Sequence, residues 1–168
     1  FIIFKERTED SYWRVFHKDL TSGYNLWLND TSGEIQYSQN GGYISAVASD
    51  TFTVTQSGAS GLEHVNESGA TYIAYCWAEK SGYSKFGYYT GNGSTSGPTI
   101  TCGFKPAMII LKRTDSGGSW TISDNTRDTV NPVTPYLFPH DSAAEATDSS
   151  NEIDFNSNGF QIKHDTRN

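Results

Sequence analysis

No apolar run in this sequence approaches the ~20 residues that a membrane-spanning helix requires, so no helical span is expected. No signal-peptide pattern occupies its start. Positive charge is scarce: Lys and Arg number 12 against 19 Asp and Glu, a net charge of -7. Nonspecific binding to nucleic acid or to an anionic membrane needs a cationic face, and this balance argues against both. Methionine occurs once and cysteine twice. Two cysteines make no structural zinc site without histidines, and His17, His64, His140 and His164 show no ligand spacing. Gly-x-Ser-x-Gly and His-Glu-x-x-His are both missing, which removes the usual signatures of a serine hydrolase and of a zinc protease. There is no initiator Met, and the chain opens on the strand-like Phe1-Ile2-Ile3-Phe4. It is therefore expected to be a piece of something longer.

Charged residues make up only 18% of the chain, against roughly 25% in ordinary soluble domains. Gly, Ser, Thr and Asn take their place, beside ten Tyr, nine Phe and four Trp. Small polar residues with many aromatics are the material of short strands and tight turns. Apolar runs of four to eight residues recur between Gly/Ser/Asn/Asp clusters, and no segment keeps a capped 3.6 period. Strands are predicted near 1–6, 12–18, 24–28, 34–38, 43–47, 51–55, 71–78, 85–90, 98–102, 107–113, 119–123, 135–138, 152–155 and 159–163. Segments 56–69 and 142–150 read as loops. The fold class is all-β, and the strand spacing suggests an antiparallel β-sandwich.

An internal repeat organises the chain. Phe1-Ile2-Ile3-Phe4-Lys5 through Trp13 matches Met108-Ile109-Ile110-Leu111-Lys112 through Trp120, a displacement of 107 residues. Further on, Tyr24-Asn25-Leu26-Trp27 resembles Pro135-Tyr136-Leu137-Phe138, and Asp50-Thr51-Phe52-Thr53-Val54 resembles Asn158-Gly159-Phe160-Gln161-Ile162. Residues 1–80 then read as the C-terminal part of a first repeat and 81–168 as the N-terminal part of a second. The first lacks the equivalent of 85–107, and the second lacks the equivalent of 70–77.

Both faces of 71–78 are apolar, with Ile73, Tyr75 and Trp77 on one and Tyr72, Ala74 and Cys76 on the other. The segment is predicted to be a central, covered strand. The runs 1–4 and 108–111 read alike, so Ile110→Asp is expected to abolish folding. Cys76 and Cys102 are read as buried thiols acting as small hydrophobes, and a disulfide between them stays open.

Chemistry-bearing groups are few, and no catalytic residue set is predicted. Glu152 and Asp154 lie two apart on one strand, the nearest approach to a glycosidase carboxylate pair, and no third acid follows. Calcium is the one cofactor with candidate ligands: Asp141-Ser142, Asp148-Ser149-Ser150-Asn151-Glu152 and Asp115-Ser116. Turn chemistry explains the same residues. Asn92-Gly93 reads as a tight turn and not as a phosphate loop. Aromatics near turns are the candidate ligand-binding residues, above all Tyr24, Trp27, Tyr136 and Phe138, with Tyr37, Tyr43 and Tyr83 beside them.

The run Tyr72-Ile73-Ala74-Tyr75-Cys76-Trp77-Ala78-Glu79, then Gly82 to Ser94, then Gly103-Phe104-Lys105-Pro106-Ala107 leading to Trp120, resembles a tandem repeat of structural proteins from marine and other aquatic tailed phages. Those proteins are tail-fibre or virion components. Asn151 to Phe160 fits the same pattern, while Cys102 and Glu9-Asp10-Ser11-Tyr12 depart from it. The resemblance implies a noncatalytic β-sandwich repeat, of jelly-roll or concanavalin-A-like kind, on a virion surface. It implies partners among other copies of the chain, as a homo-oligomer, among virion proteins, and in host-surface glycan. A polysaccharide depolymerase and a secreted lectin or adhesin are the alternatives.

Overall fold

The computed structural model describes residues 1–36, 42–56, 65–147 and 149–164. Among them the protein is all-β, with one short 3-10 turn at Ser149–Asn151, and every strand pairing is antiparallel. The chain divides into two compact units: Phe1–Trp77 with Thr114–Gly118, and Ala78–Arg113 with Ser119–Asn168.

The first unit holds β1 (Ile2–Glu6), β2 (Arg14–Phe16), β3 (Tyr24–Trp27), β4 (Ile35–Gln36), β5 (Gly42–Val47), β6 (Phe52–Gln56) and β7 (Tyr72–Cys76). Five of these form one sheet in the order β4-β3-β2-β1-β7, and β5-β6 is a separate hairpin. Alternation along β1 turns Ile2, Phe4 and Glu6 inward. Ile2 and Phe4 pack with Ile44 and Val65, flanked by Phe16, Phe52 and Val54. Burying each such side chain stabilises by ~1.5–3 kcal/mol. Two buried polar side chains, Arg14 and Asn25, converge on the Gly42 carbonyl: Arg14 Nη1 donates at 3.4 Å and Asn25 Nδ2 at 2.9 Å. That anchors the start of the β5-β6 hairpin. Segment 114–118 joins this unit through the Glu34 amide to the Thr114 carbonyl and the Gly118 amide to the Thr31 carbonyl, both 2.8 Å.

The second unit holds β8 (Thr99–Thr101), β9 (Met108–Leu111), β10 (Thr121–Asp124), β11 (Pro135–Tyr136), β12 (Ala146–Thr147), β13 (Ile153–Asn156) and β14 (Gly159–Ile162). Its ladders are β10-β9, β11-β12 and β13-β14-β8. Ile109, Val133, Ile153, Phe155, Phe160 and Ile162 form the core, with Tyr89, Ile100, Cys102 and Leu111 packed against it.

Registers recur between the units. Ile2, Ile3 and Phe4 face Phe16, Val15 and Arg14; 107 places later, Ile109, Ile110 and Leu111 face Ser123, Ile122 and Thr121. Tyr24 and Asn25 face Gln36 and Ile35; 111 places later, Pro135 and Tyr136 face Thr147 and Ala146. Leu26 faces Val15, and Leu137 bridges Ile122. The hairpins match as well, with Ile44 opposite Val54 and Ile153 opposite Ile162. A bulge between Ile44 and Ala46 accounts for the extra residue in β5.

Several sequence expectations need correction. Segment 71–78 is no covered central strand: β7 ends its sheet, and Ile73, Tyr75 and Trp77 are 40%, 45% and 46% exposed. Cys76, at the last position of that edge strand, is exposed instead of buried. Both cysteines are free thiols, and burial pushes the Cys102 thiol up. Ile110 is not in the core either: successive side chains of β9 point to opposite faces, and Ile109 is the buried residue of the pair while Ile110 is 41% exposed. Segment 85–90 forms no strand. The Phe86 amide donates to Glu79 Oε1 at 3.1 Å, and Tyr89 packs against the core without joining a ladder. Within the expected loop 142–150, Ala146–Thr147 forms β12.

Candidate binding surface

One row of rings stands on the outer part of the first unit's large sheet. The register sets Phe1, Ile3 and Lys5 of the β1 run on the same face as Trp77, Tyr75 and Ile73 of the β7 run. Trp13 and His17 share that face, two residues to either side of Val15. The rings follow one another: Trp13 lies 6.5 Å from Tyr75, Tyr75 6.3 Å from Trp77, Trp77 5.4 Å from Phe1, and Phe1 6.3 Å from His17. The first two contacts are stacked, with interplanar angles of 23° and 28°. Tyr75 and Trp77 are nearly half exposed. The row is a broad, mostly uncharged surface held on a sheet, with Lys5 close by. Its Nζ is held by the Ser11 hydroxyl at 2.9 Å. Rings on a rigid strand can stack on the apolar face of a planar or cyclic ligand at low entropic cost.

Of the predicted aromatic residues, Trp27 stacks on Tyr12, with centroids 3.9 Å apart and planes 8° from parallel, so one indole face is covered. Tyr24 and Tyr43 are half-buried on β3 and β5. Tyr136 is 2% exposed, which removes it from any surface role; it is a core residue of the second unit. Phe138 meets Tyr136 edge-on at 5.1 Å and His140 at 5.7 Å. Tyr83 is exposed, with Lys80 Nζ 5.9 Å from its ring centroid. Tyr37 lies outside the described residues. Sequence reading missed the row itself, although its signal was present in the alternation Ile73-x-Tyr75-x-Trp77.

The predicted acidic groups do not converge. Asp141 Oδ1 accepts from the Ala143 amide at 3.1 Å, as in an ordinary turn. Asn151 is buried and donates to Ser123 Oγ at 3.0 Å. Asp154 pairs with Lys163 at 3.7 Å. Asp148 lies outside the described residues. Among the described residues, the three acids that meet are Glu6, Glu9 and Glu67 of the first unit, with ligand atoms within 4.8 Å of one another. Glu6 is buried at the end of β1, and its Oε1 accepts from Thr8 Oγ1 at 2.7 Å. Nearby, the Glu67 amide donates to the Tyr72 hydroxyl at 3.2 Å. Burial first, then the charges of Glu6 and Glu67, raise the Tyr72 phenol against the lowering effect of that bond. Oxygen-only donors of this kind are what calcium takes, and they differ from all the groups that the sequence put forward.

In the second unit an ion-pair network closes the turn after β10. Asp124 accepts from the Arg127 amide at 2.9 Å, the Thr126 amide at 3.0 Å and Arg127 Nε at 2.7 Å. The Arg127 amide first, and then the guanidinium and the Thr126 amide, hold the Asp124 carboxyl below its usual range, against the opposing effect of burial. Arg127 Nη1 also donates to Glu145 at 2.8 Å. The network is satisfied within itself and reads as structural.

A family described as Domain of unknown function (DUF7483) matches residues 1–168. No curated protein and no solved structure matches the chain.

Proposed function

Since the chain belongs to the DUF7483 family throughout residues 1–168, and that description carries no activity, we propose from the geometry that it is a noncatalytic, strand-built repeat whose work is packing and adhesion. It is a β-sandwich module of a virion appendage, such as a tail fibre, and its aromatic row takes a host-surface glycan. Its other partners are further copies or repeats of itself and neighbouring virion proteins.

The shared registers support the repeat: the same ladders recur at displacements of 107 and then 111 residues. The cores support the sandwich. Ile2 and Phe4 of the five-stranded sheet meet Ile44 of the hairpin, and Ile109 of β9 meets Phe155, Phe160 and Ile162 of the other ladder. The observation that carries the adhesive part is the row Trp13, Tyr75, Trp77 and Phe1, in which Tyr75 and Trp77 are exposed and Trp13 and Phe1 half-buried.

Trp77→Ala and Tyr75→Ala are expected to weaken glycan binding by about tenfold each, since an exposed ring contact is worth ~1–2 kcal/mol. A glycan array followed by calorimetry on the best ligand reads this. Binding left unchanged by both substitutions, or release of reducing ends from the bound glycan, contradicts the proposal.

A further inference from the structure

In the first unit, β1 is paired on both sides, with β2 and with β7. The β7 ladder is closed at its ends by the Trp77 amide to the Phe1 carbonyl at 2.9 Å and the Arg7 amide to the Thr71 carbonyl at 2.8 Å. In antiparallel pairing, bonding alternates between the two sides of a strand. Phe1, Ile3 and Lys5 therefore direct their backbone groups to β7.

In the second unit the same strand has one side with no partner strand among the described residues. β9 pairs with β10 in the register that β1 keeps with β2, and it ends its sheet. Ile122 exchanges both of its backbone bonds with Leu137, at 3.0 and 2.9 Å. Ile110, opposite Ile122, thus turns its N–H and C=O to the outer side, and Met108 does the same. Their side chains are 41% and 56% exposed. They occupy the places of Ile3 and Phe1, which face Tyr75 and Trp77 in the first unit.

The converse holds at the hairpins. β14 carries β8 along its outer side, Phe160 facing Ile100. β6, in the same place in the first unit, ends its hairpin. Beside it lies an apolar cleft of about 240 Å³ lined by Phe4, Phe52, Val54, Val65 and Tyr72. Among the described residues, each unit thus holds a strand that the other lacks at the corresponding edge.

We propose that the outer edge of β9 accepts a strand of the Tyr72–Cys76 type carried by a further repeat of the same kind. The inference rests on the repeat reading above and adds to it the occupant of this edge. A Tyr at the place of Tyr75 would lie across Ile110, and a Trp at the place of Trp77 across Met108, covering both aliphatic side chains and completing the backbone ladder.

The test extends the full chain after Asn168 by a second copy of residues 61–77, which keeps the spacing between β6 and β7. Amide hydrogen exchange is read by NMR. At Ile110 and Met108, exchange is expected to slow by about 100-fold or more on extension. The same extension with Tyr75→Pro in the appended copy is expected to leave it fast. Fast exchange with both extensions, or slow exchange with both, overturns the proposal. Slowing in the unextended chain as its concentration rises assigns the edge to a second copy and also overturns it. Ile3 is the internal reference. A slow Ile3 beside a fast Ile110 overturns the acceptor edge and leaves the repeat reading standing, whereas a fast Ile3 removes the β1–β7 template on which both depend.

Discussion

Ile109→Asp is expected to cost the second unit about 4 kcal/mol or more, and Ile110→Asp less than about 1 kcal/mol. The two residues are neighbours on one strand, so propensity and position are shared. Only the face differs: Ile109 is 7% exposed among Val133, Ile153, Phe155 and Phe160, while Ile110 is 41% exposed. A carboxylate at 109 loses its water and gains no partner, a penalty comparable with the whole stability of a small domain. At 110 it keeps its hydration. Thermal melts followed by circular dichroism separate the cases, since 1 kcal/mol moves the midpoint of a unit this size by roughly 4–8 °C. Equal destabilisation by both substitutions contradicts the placement of Ile109 and Ile110 on a buried and an exposed face of β9.

Gly159→Ala is expected to part β8 from β14 and to lower stability by about 2 kcal/mol or more. Gly159 has φ +155°, and a Cβ there would strike the Ile100 carbonyl oxygen while lying 3.1 Å from the Cys102 nitrogen. Close approach of β8 is the cause, because Gly159 faces Thr101 across the ladder. The first unit supplies the natural control. Thr51 stands at the corresponding place before Phe52, and no strand runs beside β6 there among the described residues. Faster exchange of the Cys102 amide, which bonds the Asn158 carbonyl at 2.9 Å, reports the parting. Gly93→Ala, at φ +64° with nothing within 4 Å, is the comparison with backbone strain alone. A Gly159→Ala variant as stable as Gly93→Ala contradicts the close approach of β8.

Much of the strand content was legible because period-2 alternation and Gly/Ser/Asn punctuation act locally. Segments 1–6 and 12–18 read as strands on that basis, and β1 and β2 within them are paired. The edges were not legible. A strand apolar on both faces reads as covered, yet whether a second layer lies over each face, and whether a neighbour lies alongside, depends on residues far away in sequence. Ile110, Tyr75 and Cys76 were all misread for that one reason. Tyr136 was misread in the opposite direction: a tyrosine beside a proline-rich turn resembles a surface ring, but the chain folds it into the core. The acidic cluster was invisible because Glu67 comes to Glu6 and Glu9 only through the pairing of β7 with β1.

The shared strand register of the two units is tested most directly by cross-strand contacts in solution. In a non-hydrogen-bonded antiparallel pair the two Hα atoms lie close together. Strong Hα–Hα NOEs are expected between Ile3 and Val15 and equally between Ile110 and Ile122. An Ile110 NOE to Thr121 or Ser123 in place of Ile122 would shift the second ladder out of step with the first and contradict the repeat.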